Sequence, residues 1–157
     1  LEQVKRFQIG GISIVCFIVV IVVSLSYYQF LFLPTYNAKP VVAETILHPA
    51  QSIKVSIIPG SSLPSQTNNF EPKESKASLG VSNKVVWTNQ DTVPHSVTTD
   101  NNYVDPINGP FNSISTIGLI LPKGTFEYTF TQAGDYSYHC EPHPWMKGKV
   151  TVTKDFS

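Results

Sequence analysis

Between Ile9 and Leu33 the chain reads IGGISIVCFIVVIVVSLSYYQFLFL, 25 residues without a charge. A bilayer core needs about 20 apolar residues in helix, so this run can span one with some tilt. The apolar core of a cleaved secretory signal is only about 7–15 residues long. That length argues against cleavage, although Val41-Val42-Ala43 would supply a small-residue site. Tyr27 and Tyr28 lie toward the far end of the run, where aromatic residues mark a membrane interface. Lys5 and Arg6 precede it and only Lys39 follows closely, a weak bias that favours an inside N-terminus. The expected layout is a single-pass anchor over 1–34, a linker over 35–50 and a folded domain over 51–157 on the extracytoplasmic side of the cell membrane. The sequence starts at Leu1 rather than methionine, so the expectation is that some N-terminal residues are missing or processed.

Lysine plus arginine and aspartate plus glutamate both number 11. That balance leaves no basic excess for nucleic acid and no acidic tail. Only two cysteines exist, Cys16 in the apolar run and Cys140 far down the chain. Pairing them would require a membrane helix to touch the far end of the domain. No disulfide framework is therefore expected. Cys16 reads as a small apolar filler, and Cys140 needs another explanation.

Pro34 to Pro49 reads as a connector, because prolines at 34, 40 and 49 discourage helix and central strand. His48 falls in it as a solvated residue. From about residue 50 the pattern has period two. Val55 and Ile57, Val85 and Trp87, Phe126, Tyr128 and Phe130, Tyr136, Tyr138 and Cys140, and Val150 and Val152 each alternate with polar or exposed positions. Turn-forming clusters separate the runs at 89–91, 101–110, 122–124 and 133–135. Short strands at this spacing predict an antiparallel sandwich or barrel, with no long helix after the anchor. The aromatic positions read as core. Tyr136, just after Ala133-Gly134-Asp135, resembles the tyrosine corner of Greek-key sandwiches. Asp100 to Asp105 offers oxygen atoms but lacks the glycine and terminal glutamate of a calcium loop, and reads as a solvated loop.

The segment YHCEPHPWM, Tyr138 to Met146, gathers soft and nitrogen donors. Cys140, His143 and Met146 follow one another at intervals of three. Pro142 and Pro144 flank His143 and stiffen the loop. Upstream, His95 in Val93-Pro94-His95-Ser96-Val97 starts a predicted strand, Ser96 to Thr99. Two imidazoles and a thiolate with a weak axial thioether describe a blue-copper site, since thiolate and thioether favour Cu(I) and imidazole suits both oxidation states. Zinc is the rival metal, but structural zinc sites prefer four strong ligands and rarely use methionine. His139 points to the opposite face from Cys140 by strand parity, which leaves it as an outward polar residue or a second electron route.

These residues resemble the cupredoxins, and the Cys140 to Met146 loop resembles that of the amicyanins within the plastocyanin-like group. The resemblance rests on Val93 to Val97, on Tyr136-x-Tyr138-His139-Cys140, and on Cys140-x-x-His143-Pro144-x-Met146 followed by Lys147-Gly148-Lys149-Val150. It covers about residues 50–157. It implies an all-β fold, a Greek-key cupredoxin β-sandwich preceded by a single transmembrane helix. One type 1 copper would be held by His95, Cys140 and His143, with Met146 axial. It further implies an apolar patch of Pro142, Pro144 and Trp145 around His143, where redox proteins dock. Where the family commonly has asparagine after the first histidine, this chain has Ser96.

The expected function is a membrane-anchored carrier passing single electrons between redox partners. The alternative is a relay or structural subunit of a larger membrane oxidase or copper monooxygenase complex, with Ser24, Ser26 and Gln29 packing against other helices. An enzyme is not expected. Glu141 follows Cys140, so there is no His-Cys-His triplet to bridge further coppers, and no nucleophile–base pair or phosphate loop is evident. Copper storage would call for more open methionine- or histidine-rich binding.

Overall fold

The computed structural model describes residues 2–36 and 42–154, with side chains in the first helix described from Ile14 onward. Lys39 and Val41, on which the orientation and cleavage readings depended, lie outside the described residues. The chain divides into two compact units, Leu1–Lys39 and Pro40–Ser157.

The first unit is helical throughout its described length: α1 (Glu2–Tyr27), a π-helical turn (Tyr28–Phe32) and α2 (Leu33–Tyr36). Ile14–Tyr36 forms 23 continuous residues, long and apolar enough to cross a membrane. At about 1.5 Å per residue this exceeds a hydrocarbon core of about 30 Å. Tyr28, Phe32 and Tyr36 stack along one side, with ring centroids 5.4 and 5.7 Å apart, as residues four apart do on a helix. Helix therefore runs through Pro34, two residues past the start of the predicted linker. A proline inside a helix lacks an N–H and crowds the carbonyl four residues back, and the wider π-helical turn Tyr28–Phe32 lies just before it. The predicted linker holds a second short helix, α3 (Glu44–Leu47), in which His48 Nε2 lies 3.3 Å from the Glu44 carboxylate on the surface.

Among its described residues the second unit contains ten strands: β1 (Ser52–Ile57), β2 (Phe70–Glu71), β3 (Glu74–Ser78), β4 (Lys84–Asn89), β5 (Thr98–Thr99), β6 (Val104–Asp105), β7 (Gly109–Pro110), β8 (Thr125–Thr129), β9 (Gly134–His139) and β10 (Lys147–Thr153). One turn of helix, α4 (Ser113–Thr116), precedes β8. One sheet has the order β2-β1-β4-β8 and the other β3-β10-β9-β5, with β6 and β7 a separate hairpin. The expected sandwich is present, but it is not wholly antiparallel. β1 runs parallel to β4, and β3 runs parallel to β10. Alternation reports which face a residue takes and says nothing of strand direction.

The period-two residues form the core. Val55, Ile57, Val85, Trp87, Phe126, Tyr128, Tyr136, Tyr138, Val150 and Val152 are all buried. Trp87 lies at the centre, 5.5 Å from the rings of Phe111 and Tyr138 and 5.7 Å from Phe126. Burying each such side chain stabilises the fold by roughly 1.5–3 kcal/mol. Tyr138 lies over Gly148, its cross-strand partner. A Cβ at Gly148 would fall 2.4–2.7 Å from that ring, so only glycine lets the aromatic lie flat two residues before Cys140. Tyr136 makes the expected corner, its hydroxyl donating to the Gln132 carbonyl at 2.8 Å.

The segment after β5 is exposed at Asp100, Asn101, Asn102 and Val104, as a solvated loop is, but Asp105 at its end is not. Asp105 is buried and accepts from Thr131 N and Oγ1, Ile107 N, Asn108 N and Tyr103 Oη at 2.8–3.1 Å. Burial pushes its pKa up, but these donors, the Thr131 N–H foremost, outweigh that and hold it below the ordinary 3.8. A depressed carboxylate contributes stability that is complete above its unfolded pKa and is lost as pH falls through the lower folded value. Asp105→Asn is expected to cost about 2–4 kcal/mol at pH 7. The gap from the parent should narrow as pH drops below 3.8 in urea unfolding. A gap independent of pH would contradict the assignment.

Candidate metal centre

β5 and β9 are neighbours, with Thr98 opposite His139. That register brings the residues before β5 alongside the residue after β9. His95 is not in the predicted strand. It forms an isolated bridge with Ile120, donating its N–H to Ile120 O at 3.1 Å and accepting from Ile120 N at 2.8 Å. Cys140 lies one residue beyond β9 and is fully buried.

The loop from Cys140 to Met146 is two successive tight turns. His143 N donates to Cys140 O at 3.1 Å, and Met146 N donates to His143 O at 2.9 Å. Cys140 N closes the loop on Met146 O at 3.2 Å. The interval of three seen in the sequence is thus the repeat of a β-turn. Pro144 occupies the second position of the second turn, where its fixed φ is favoured. Met146 is fully buried, His143 is partly buried, and Pro142, Pro144 and Trp145 are exposed.

His95 Nδ1 lies 3.7 Å and His143 Nδ1 3.5 Å from Cys140 Sγ. The three ligand atoms all lie within 4.8 Å of one another. With bonds of about 2.3 Å to thiolate and about 2.0 Å to imidazole, a shared metal would give S···N separations of about 3.5–3.7 Å at angles near 110–120°. The donor set therefore fits a soft first-row metal ion such as copper. Burial lowers the pKa of His95, which keeps the imidazole in the neutral form that binds metals. Burial raises the pKa of the Cys140 thiol against the hydrogen bonds from Ser96. A thiol in that setting keeps its proton until a metal cation binds the sulfur and releases the proton to solvent.

Ser96 takes up the tie between the ligand loops. Its backbone N–H donates to Cys140 Sγ at 3.2 Å, and its hydroxyl accepts from Glu141 N at 2.8 Å. His139 faces away from the cluster, with Nδ1 2.5 Å from the Asp100 carboxylate at the surface. Sequence reasoning missed Asp91, whose carboxylate lies 3.0 Å from His95 Nε2, both side chains almost wholly buried. It was read as part of a turn. An acidic residue four before a histidine suggests a contact only on a helix, and here a loop makes it.

A family model described as copper binding proteins of the plastocyanin/azurin family matches residues 61–153. The chain is 37% identical to an amicyanin of Paracoccus denitrificans over 73 residues, 46% of this chain and 50% of that one. It is 36% identical to a plastocyanin of Lactuca sativa over 87 residues, 53% of this chain and 86% of that one. It spans about half to two thirds of the curated amicyanins it matches. Among solved structures, a purple cupredoxin from Nitrosopumilus maritimus superposes with TM-score 0.52 at 29% identity, covering 64% of this chain and 99% of that one. Fold, donor set and family agree that this is a cupredoxin with the donors of a copper site. The chain belongs to the plastocyanin/azurin family of copper-binding proteins.

Ser96→Ala should leave the Glu141 N–H without its partner at a cost of about 1–2 kcal/mol, read by urea unfolding. The backbone N–H to Cys140 Sγ survives that change, so copper uptake should persist. Loss of copper uptake in a folded Ser96→Ala protein would show that the hydroxyl does more than tie the loops.

Proposed function

We propose that this protein is a membrane-anchored carrier of single electrons, with His95, Cys140 and His143 as the strong copper ligands and Met146 as the weak axial one. The observation that carries this is the convergence of two Nδ1 atoms on one buried sulfur, with a fully buried methionine in the same loop. Copper held there supplies a one-electron couple. The chain's part is to keep the donors still: each is fixed by backbone hydrogen bonds or by burial, so adding an electron moves few atoms.

His143 is the ligand nearest the surface. Its ring centroid is 5.3 Å from that of Trp145, which is 37% exposed. Trp145 Nε1 donates to Ser61 O at 3.1 Å, which pins the indole beside the histidine. Pro142, Pro144 and Trp145 thus offer a small rigid apolar surface to a redox protein, as suits brief encounters. Support for the anchor is the continuous apolar helix Ile14–Tyr36, which would hold the copper domain at the extracytoplasmic face.

The test is the visible spectrum of the full chain in detergent, titrated with Cu(II) and then reduced. An intense thiolate-to-copper band that bleaches on reduction and is absent in Cys140→Ser is expected. Met146→Leu should keep the band and shift it, because the axial bond is weak. A folded protein that stays colourless with Cu(II) would sink the carrier reading.

A further inference from the structure

Among the described residues, Asp91 is the carboxylate that hydrogen-bonds a member of the metal cluster, and its four partners are all nitrogen groups. Oδ1 accepts from Gly60 N at 3.0 Å and Thr92 N at 2.8 Å. Oδ2 accepts from Ser62 N at 3.3 Å and meets His95 Nε2 at 3.0 Å. Three of these donors are backbone N–H groups that reach both carboxylate oxygens, the surroundings an ionised carboxylate takes because it can only accept. The carboxylate is therefore a fixed negative charge in a dry setting.

Its hold on His95 has a chemical consequence. An ionised carboxylate only accepts, so Nε2 must carry the proton. That leaves the Nδ1 lone pair free, and Nδ1 is the atom that faces Cys140 Sγ at 3.7 Å. Asp91 thereby selects the tautomer able to bind metal. The same carboxylate also fixes the Gly60–Ser62 loop, whose Ser61 carbonyl accepts from Trp145 beside His143. One side chain braces both ligand loops.

Resting on the electron-carrier reading, we propose that Asp91 is a positioning residue that lowers the reduction potential of the copper centre. It does so by holding His95 as the Nε2–H tautomer and by placing a negative charge behind it. A carboxylate on the far nitrogen makes an imidazole a stronger donor. A nearby negative charge also favours the more positive oxidation state, so uptake of an electron from an external donor becomes less favourable. Both effects have the same sign. A purely structural Asp91 would affect unfolding and leave the potential where it was.

The experiment compares copper-loaded full chain with Asp91→Asn by spectroscopic redox titration. Asparagine keeps an oxygen for Gly60 and Thr92 and removes the charge. If the inference holds, the variant stays coloured and its Cu(I):Cu(II) ratio at fixed ambient potential rises at least tenfold, a shift of about 59 mV for one electron. A coloured variant within twofold of the parent, or shifted the other way, overturns it. A parent that never colours overturns the carrier reading and this inference with it. Should Asp91→Asn not fold, nitrogen-15 spectra of the parent in the diamagnetic Cu(I) state decide. A slowly exchanging proton on His95 Nε2 supports the inference, and a bare or rapidly exchanging Nε2 overturns it.

Discussion

The metal cluster depends on one pairing register, Thr98 opposite His139 at the sheet edge. Successive strand residues face opposite ways, so a slip of one residue would exchange Tyr138 and His139 between core and solvent. Tyr138 is wholly buried against Trp87 and Phe70, while His139 meets Asp100 at the surface. The cost of burying a histidine and exposing a tyrosine locks the register. Once it is locked, His95 and Cys140 lie together without any covalent link. The buried aromatic core and the position of the sulfur are thus one constraint.

Stiffness at the site arises at three levels. The Cys140–Met146 loop closes on itself through three backbone hydrogen bonds. Ser96 ties that loop to the His95 segment with its N–H and its hydroxyl. His95 is held at its backbone by Ile120 and at its ring by Asp91. Asn89 adds a further brace, its side-chain N–H donating to both Val93 O and Ile120 O at 2.8 and 2.9 Å. Donors braced in this way have little conformational freedom to lose in holding a metal.

What the sequence made legible follows from how local each signal is. Alternation marked the core strands, because facing depends on parity alone, and the Cys-x-x-His-x-x-Met spacing marked the loop, because its ends close on each other. Parallel pairing of β1 with β4 and of β3 with β10 was not legible, since partner choice is a long-range property. Helix past Pro34 was not legible because a proline can be carried within a helix by a local change of winding, here beside the π-helical turn Tyr28–Phe32. Asp105 and Asp91 were misread for a shared reason. Aspartates among turn residues usually face water, and only the packed fold surrounds these two with N–H and O–H donors from segments 26 to 31 residues away. The Ser96 tie was half legible: the substitution was visible, but its geometry was not.

A carrier of this kind has to release its partner as readily as it finds it. Residues 50–157 hold eight lysines and nine acidic residues, so long-range attraction adds little to encounter. Several of those charges are already paired: Lys84 with Glu127, and Lys149 with Asp135. Asp91 and Asp105 are buried and saturated by hydrogen bonds. The surface around His143 is left with prolines and one indole edge, which cost little side-chain entropy to dock because they are already fixed. Binding of a partner through such a face would be brief, since its area is small. An anchor helix in the membrane would compensate, because confinement raises the effective concentration of partners held in the same bilayer. On the proposed reading, weak docking and membrane attachment would be complementary solutions to one kinetic problem.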